Sequence, residues 1–332
     1  MLGFKNKSLM HDITGSDNKV ACIGKLPMSN EFVKINAVSR EIIDFYKWMQ
    51  EGVVHMYRSG NISQFYGATE ISIQHFVLMG FSGDNIMIGS MQKSNDKAGR
   101  EYPVIILSSI NVKSEFIDII SCVYHDFLQT TLDVLNSVKL DVSLSEFNEK
   151  LKGIDISKYN DCFDNKKISN DNFLKETRLF DFVESVSPNT GNQYAFNFFS
   201  YLKIQLTTIA RRTSKRVDWG LRLPLSKEGD NSLTISFWIK LCTTFIGESN
   251  IRVNYSWSST SHYSYLNIFF KQIPASYFDC VITNGRHGNL LVNVAVESQE
   301  HNRENEGVLE DCSLEEFICT FHLLENSHVC RI

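Results

Sequence analysis

The chain has 332 residues, 43% of them hydrophobic and 21% charged, which is ordinary for a globular protein and enough for about two domains of roughly 150 residues. The formal net charge of -5 argues against nucleic acid or an anionic membrane as the main partner. No window approaches the ~18 apolar residues of a membrane span, and the opening MLGFKNKSLMHDITGSDNK has no signal-peptide apolar core. The expectation is a cytoplasmic protein that is not membrane-inserted.

In chain order, KVACI (19–23) reads as a short strand running into an irregular loop. Ser39 is placed to cap a helix whose Ile42, Tyr46, Met49 and Val53 share one face. QHFVLMG and NIMIGSM, joined by FSGD, read as a hairpin, and YPVIILSS as a further strand with Pro103 at its start. From about Glu115 the spacing of Phe116, Ile119, Ile120, Val123 and Phe127 predicts one continuous helix. Ser143 and Glu146 have capping-box spacing. The polar stretch 153–172 reads as a linker or decorated loop.

The second half begins with helical segments near 172–186 and 192–202. WGLRLPL then reads as a strand and SLTISFWIKLCTTF as a buried helix. IRVNYSWS and SYLNIFFKQ form a second hairpin pattern, PASYFDCVI a short helix opening on Pro, and LLVNVAVES a strand. Ser313 and Glu316 make a second capping box. The predicted architecture is α+β in two domains, each a small, mainly antiparallel sheet backed by helices. The boundaries are 1–140, a short helix and linker over 141–172, and 173–332.

The chain carries few signals for chemistry. The eight cysteines include no C-x-x-C pair and sit mostly in apolar company, as buried reduced thiols do. Gly24-Lys25 lacks the upstream Gly and the hydroxyl of a phosphate-binding loop. GFSGDN lacks the dinucleotide fingerprint, and no His, Cys or carboxylate group has metal-ligand spacing. No cofactor or metal is expected. His287, between Gly285 and Gly288, is the most site-like histidine, and a Cys280–His287 nucleophile–base pair is the one enzymatic candidate. The basic run 211–216, with Arg211, Arg212, Lys215 and Arg216, is a candidate contact for a phosphate or an acidic partner. Residues 297–311 read as an acidic, solvated loop. Trp48 and Trp238 read as core, whereas Trp257 fits either core or an exposed face.

Three elements in fixed order carry a family resemblance. GKLPMSNEFV resembles the G-K-L-P-x-x-G-D-F-V opening of the TagF family (also called ImpM) of type VI secretion accessory proteins. FYKWMQEG is similar to the helix that follows it there, keeping Trp48 and Gln50 with Phe45 in place of a Trp. KSNDKAGREYPV matches a third element through Ser94, Asp96, Gly99, Arg100, Tyr102 and Pro103. A weaker likeness runs through SFWIKL, VNYSWSS and LNIFFKQIPASYF. The chain departs from the pattern at Asn30-Glu31 (Gly-Asp in the family), Lys93 (Pro) and Val104 (Leu).

The resemblance implies a non-enzymatic, cytoplasmic, post-translational repressor of type VI secretion. It would act by contact with the system's forkhead-associated (FHA) domain protein. A structural adaptor of the apparatus and a hydrolase or transferase are the alternatives. The charged residues of the two loop motifs, Lys25, Glu31, Asp96 and Arg100, are expected to form one charge-assisted network. Gly24, Leu26, Pro27, Gly99 and Pro103 would shape its backbone.

Overall fold

The computed structural model describes residues 19–60, 73–79, 85–112, 116–138, 142–212, 216–227, 229–247, 252–259, 264–282, 290–301 and 308–324. The strands are β1 (Ala21–Lys25), β2 (Phe32–Ile35), β3 (Gln74–Met79), β4 (Ile86–Gln92), β5 (Val104–Ile110), β6 (Gly220–Pro224), β7 (Asn254–Ser259), β8 (Ser264–Phe269) and β9 (Leu291–Asn293). They form one nine-stranded sheet in the order β2-β1-β5-β4-β3-β7-β8-β6-β9. All neighbours are antiparallel except β6 and β9.

The fold is therefore mixed α and β, as the sequence indicates. Where the patterns suggest one small sheet per half, the halves share a single sheet. The join is β3 against β7, with Gln74 opposite Ser258 and Val77 opposite Tyr255. At its end, the Asn254 side-chain oxygen accepts from the Met79 amide at 2.7 Å.

Both faces of this sheet are covered, which is why β5 reads as an unbroken apolar run and not as an alternation. Val104 and Ile106 face one core; Ile105 and Leu107 face the other. The smaller core lies under α1 (Arg40–Ser59). Ser39 accepts from the Ile42 amide at its start, and Gly60, in the left-handed region at φ 76, closes its end.

On the opposite face are α2 (Ile120–Val123), α3 (His125–Ser137), α4 (Leu144–Lys152), α5 (Phe163–Glu176) and α6 (Leu179–Val186). They are followed by α7 (Gly191–Arg212), α8 (Ser232–Ile246), α10 (Val294–His301) and α11 (Leu314–Thr320). The short α9 (Phe278–Ile282) returns to the α1 side. There Trp48 of α1 donates Nε1–H to the Ile273 carbonyl at 2.7 Å and meets the Phe278 ring edge-on. The two halves are thus joined through the sheet and again through α1.

Both predicted capping boxes are present, at Ser143/Glu146 and Ser313/Glu316. Trp48, Trp238 and Trp257 are all buried. Four elements differ from expectation. Strand β2 has no strong sequence signal and exists by pairing with β1. The helix predicted from Glu115 breaks at Tyr124 into α2 and α3.

The predicted linker 153–172 is helical. Asp155 caps a 3-10 turn over Ile156–Cys162, and α5 follows directly. Its few apolar residues suffice because Phe163 packs on Phe116 and Tyr124, and Leu174 is buried. Tertiary contact here overrides a poor local propensity. LLVNVAVES is a strand only to Asn293. The Asn293 side chain then accepts from the Val296 amide while Glu297 accepts from the Asn293 amide, which starts α10. Residues 297–301, expected in a loop, belong to this helix. The tips of both hairpins, 80–84 and 260–263, lie outside the described residues.

Candidate functional site

The two signature loops meet at one end of β1 and β5. The first leaves β1 through Gly24, whose φ of 139 is open only to glycine in practice. A Cβ there would come 2.2 Å from the Pro103 carbonyl oxygen and 2.6 Å from Val104 Cα. Gly24 is therefore one point at which the two motifs touch backbone to backbone. Leu26 is fully buried. Pro27 occupies the second position of a turn closed by the Ser29 amide donating to the Leu26 carbonyl at 2.9 Å, the position that a fixed φ suits.

The second loop is a turn organised by Asp96. Its Oδ1 accepts from the Ala98 amide (3.0 Å) and the Arg100 amide (2.9 Å), while Gly99, at φ 79, turns the chain. Its Oδ2 accepts from Arg100 Nε at 2.7 Å and pairs with Lys25 Nζ at 3.2 Å. Arg100 also reaches across to the Asn30 carbonyl (3.0 Å), Lys25 donates to the Arg100 carbonyl, and the Lys97 amide donates to the Ser29 carbonyl. Backbone and side chains of both loops are knitted around one carboxylate.

Asp96 is 0% exposed. Burial pushes its pKa up, but the Arg100 amide and the Lys25 and Arg100 cations outweigh burial and hold it down at about 2. Arg100 keeps 63% of its side chain in solvent, so its outer side is available while its inner side is fixed.

Of the four charged residues expected in one network, three meet. Glu31 does not: it contributes backbone bonds with the Ser29 hydroxyl, and its carboxylate makes no ion pair among the described residues. The charge that closes the first loop comes from the other motif. Pattern reading also missed the aromatic floor beside it. Phe32 meets the Tyr102 ring edge-on at 5.2 Å and Tyr46 at 5.6 Å, and Lys34 Nζ lies 4.1 Å above the Tyr46 ring. The alternation in FVKI was the one available signal.

The other candidates lie apart. Arg211 and Arg212 end α7, where cations favour the helix dipole, and Arg212 lies over the Trp219 ring. Arg216 is exposed, and Lys215 lies outside the described residues. The structure does not bring this run into the Asp96 network. Cys280 is fully buried, and burial followed by the neighbouring Asp279 raises its thiol pKa, the opposite of what a thiolate nucleophile needs. His287 lies outside the described residues.

Residues 21–154 match the model of the TagF N-terminal domain, described as type VI secretion system-associated. This segment is a TagF-type N-terminal domain. The TagF match spans the first five strands, α1 to α4 and the whole Asp96 network. Comparison with curated proteins finds no match. Among solved structures, PA0076 from Pseudomonas aeruginosa PAO1 is similar at 16% identity with a TM-score of 0.35, over 41% of this chain and 62% of that one. The chain thus covers under two thirds of that relative, and a score this low carries no argument about fold. No helix among the described residues is long and apolar enough to cross a membrane.

Proposed function

We propose that this type VI secretion-associated protein is a non-enzymatic, cytoplasmic, post-translational repressor that works by binding the FHA-domain protein of its system. The observation that carries the reading is the construction of the TagF signature itself. Its charged residues are spent on holding two loops in one shape around a buried carboxylate, and the exposed side of Arg100 is left as a fixed cation on a rigid support. Such a surface suits recognition of an acidic or phosphorylated face. A pre-organised contact loses less side-chain freedom on binding than a mobile one. The sealed Cys280 thiol adds nothing to a hydrolytic alternative.

The test is co-purification with the FHA-domain protein, together with a secretion readout. Deletion should raise secretion and overexpression should lower it. Arg100→Glu, in protein that stays folded by circular dichroism, should lose both capture and repression. Cys280→Ala combined with His287→Ala should change neither. Full repression by Arg100→Glu would remove the signature from the contact, and loss of repression in the double variant would favour an enzyme.

A further inference from the structure

At the seam of the sheet, away from the signature loops, a cavity of about 70 Å³ opens between β3, β7, α2, α3 and the start of α8. His75, His125, Asp230, Ser121, Ser232 and Trp257 line it. His75 is only 6% exposed, and its hydrogen bonds fix its tautomer. Thr131 donates its hydroxyl proton to the Leu128 carbonyl at 2.8 Å, so its 2.6 Å contact with Ser90 is one in which Ser90 donates. Ser90 therefore accepts from His75 Nδ1–H at 2.7 Å. Nε2 is left as a lone pair, and it has no partner among the described residues. Burial, followed by the charge of His125, lowers the His75 pKa to about 4 and keeps the ring neutral.

Asp230 and the two serine hydroxyls add acceptor capacity, while His125, Gln129 and Asn231 also line the cavity and carry N–H groups. Asp230 Oδ1 accepts from His125 Nδ1 at 3.1 Å and from the Ser232 amide at 2.7 Å, and Oδ2 accepts from the Ser232 hydroxyl. Ser121 gives its proton to the Ser232 carbonyl. The hydroxyl oxygens, the carboxylate and His75 Nε2 all offer lone pairs, and the Trp257 ring adds an aromatic wall. A carboxylate in the wall repels anions. Apolar groups would leave these acceptors unmatched.

We propose that this cavity is a binding site for a compact primary ammonium group, seated between Asp230, His75 Nε2 and the Trp257 ring. A small free amine supplies donors to both Asp230 and His75 Nε2 and places its charge by an aromatic ring. His125 competes for the same carboxylate. Its hydrogen bond with Asp230 raises its pKa above the usual value against the cost of burial, with Asp126 of its own helix raising it further and Lys166 of α5 opposing. Below the raised pKa the imidazolium holds Asp230; as pH rises through it, the carboxylate is released to the ligand. An alkylamine stays protonated throughout this range.

The experiment uses the full chain with ¹⁵N-labelled histidine and isothermal titration calorimetry. Propylammonium is the probe, acetate the matched anion, and Nα-acetyl-lysine methylamide stands for a lysine of a larger partner. Propylammonium should shift the His75 Nε2 resonance and bind more tightly at pH 8 than at pH 6, by up to about tenfold per pH unit while His125 is protonated. Asp230→Asn should abolish binding. His125→Gln, which leaves the carboxylate in place, should retain binding and lose its pH dependence. Equal binding of acetate, an unmoved His75 at saturating amine, or unchanged affinity in Asp230→Asn would each overturn the proposal. Binding of the lysine derivative without propylammonium would overturn the free-amine assignment.

Discussion

Gly52 offers the most direct test of how the two halves are held together. It lies on the buried face of α1, and a Cβ there would come 2.3 Å from Phe278 Cβ and 2.5 Å from its Cγ. These atoms sit at the root of a fully buried side chain that itself packs on Trp48, so they cannot swing aside. Gly52→Ala brings two opposing effects. Alanine in a helix interior gains about 1 kcal/mol over glycine, and overpacking a tight site costs about 1 to 3 kcal/mol. With contacts this short the upper end applies, and the net loss should be about 2 kcal/mol. At a urea slope of about 3 kcal/mol/M, the unfolding midpoint should fall by roughly 0.7 M. Phe278→Gly, which takes away the Cβ as well as the ring, removes the obstacle at its own cost of about 4 to 6 kcal/mol. In that background Gly52→Ala should stabilise by about 1 kcal/mol, a coupling of about 3 kcal/mol between the sites. A midpoint that rises equally in both backgrounds would refute the close contact between α1 and α9.

Trp48→Phe keeps an aromatic ring but leaves the Ile273 carbonyl without its donor; a loss of about 1 to 2 kcal/mol by urea unfolding is expected. Lys25→Met should destabilise by about 1 to 2 kcal/mol, and Arg100→Ala by about 1 kcal/mol because its side chain is mostly solvated. The Asp96 pKa is depressed, so its contribution is fully present above the ordinary carboxylate value and is lost as pH falls from about 4 towards about 2. Asp96→Asn should therefore flatten the difference in stability between those pH values, which chemical unfolding at each pH would measure. Trypsin should spare Lys166 and Lys167 of α5 under native conditions. Early cleavage there would contradict the helix.

What could be read from the sequence was local or carried by a motif. The capping boxes at Ser143 and Ser313 lie within four residues of their partners, so spacing alone reveals them. The meeting of Lys25 with Asp96 and Arg100 was legible only because two motifs occur together. Choosing Glu31 as a member failed because a carboxylate's partner depends on which way its loop faces. The helicity of 153–172 was hidden because its packing surface is supplied by Phe116 and Tyr124, far away in the chain. The length of β9 was decided by one capping asparagine inside an apolar run. The β3–β7 pairing was not legible at all, since nothing in either strand specifies which distant edge it will meet.

That pairing has a consequence for synthesis. Residues opposite each other in β3 and β7 are about 180 positions apart in the chain. At ribosomal rates of about 5 to 20 residues per second, the apolar β3 emerges roughly ten to forty seconds before its neighbour exists. For that interval the nascent chain carries an open, hydrogen-bond-hungry edge of the kind that templates aggregation. Premature termination between the two strands would make the condition permanent. The newborn chain is thus a ready client for a holding chaperone until β7 arrives.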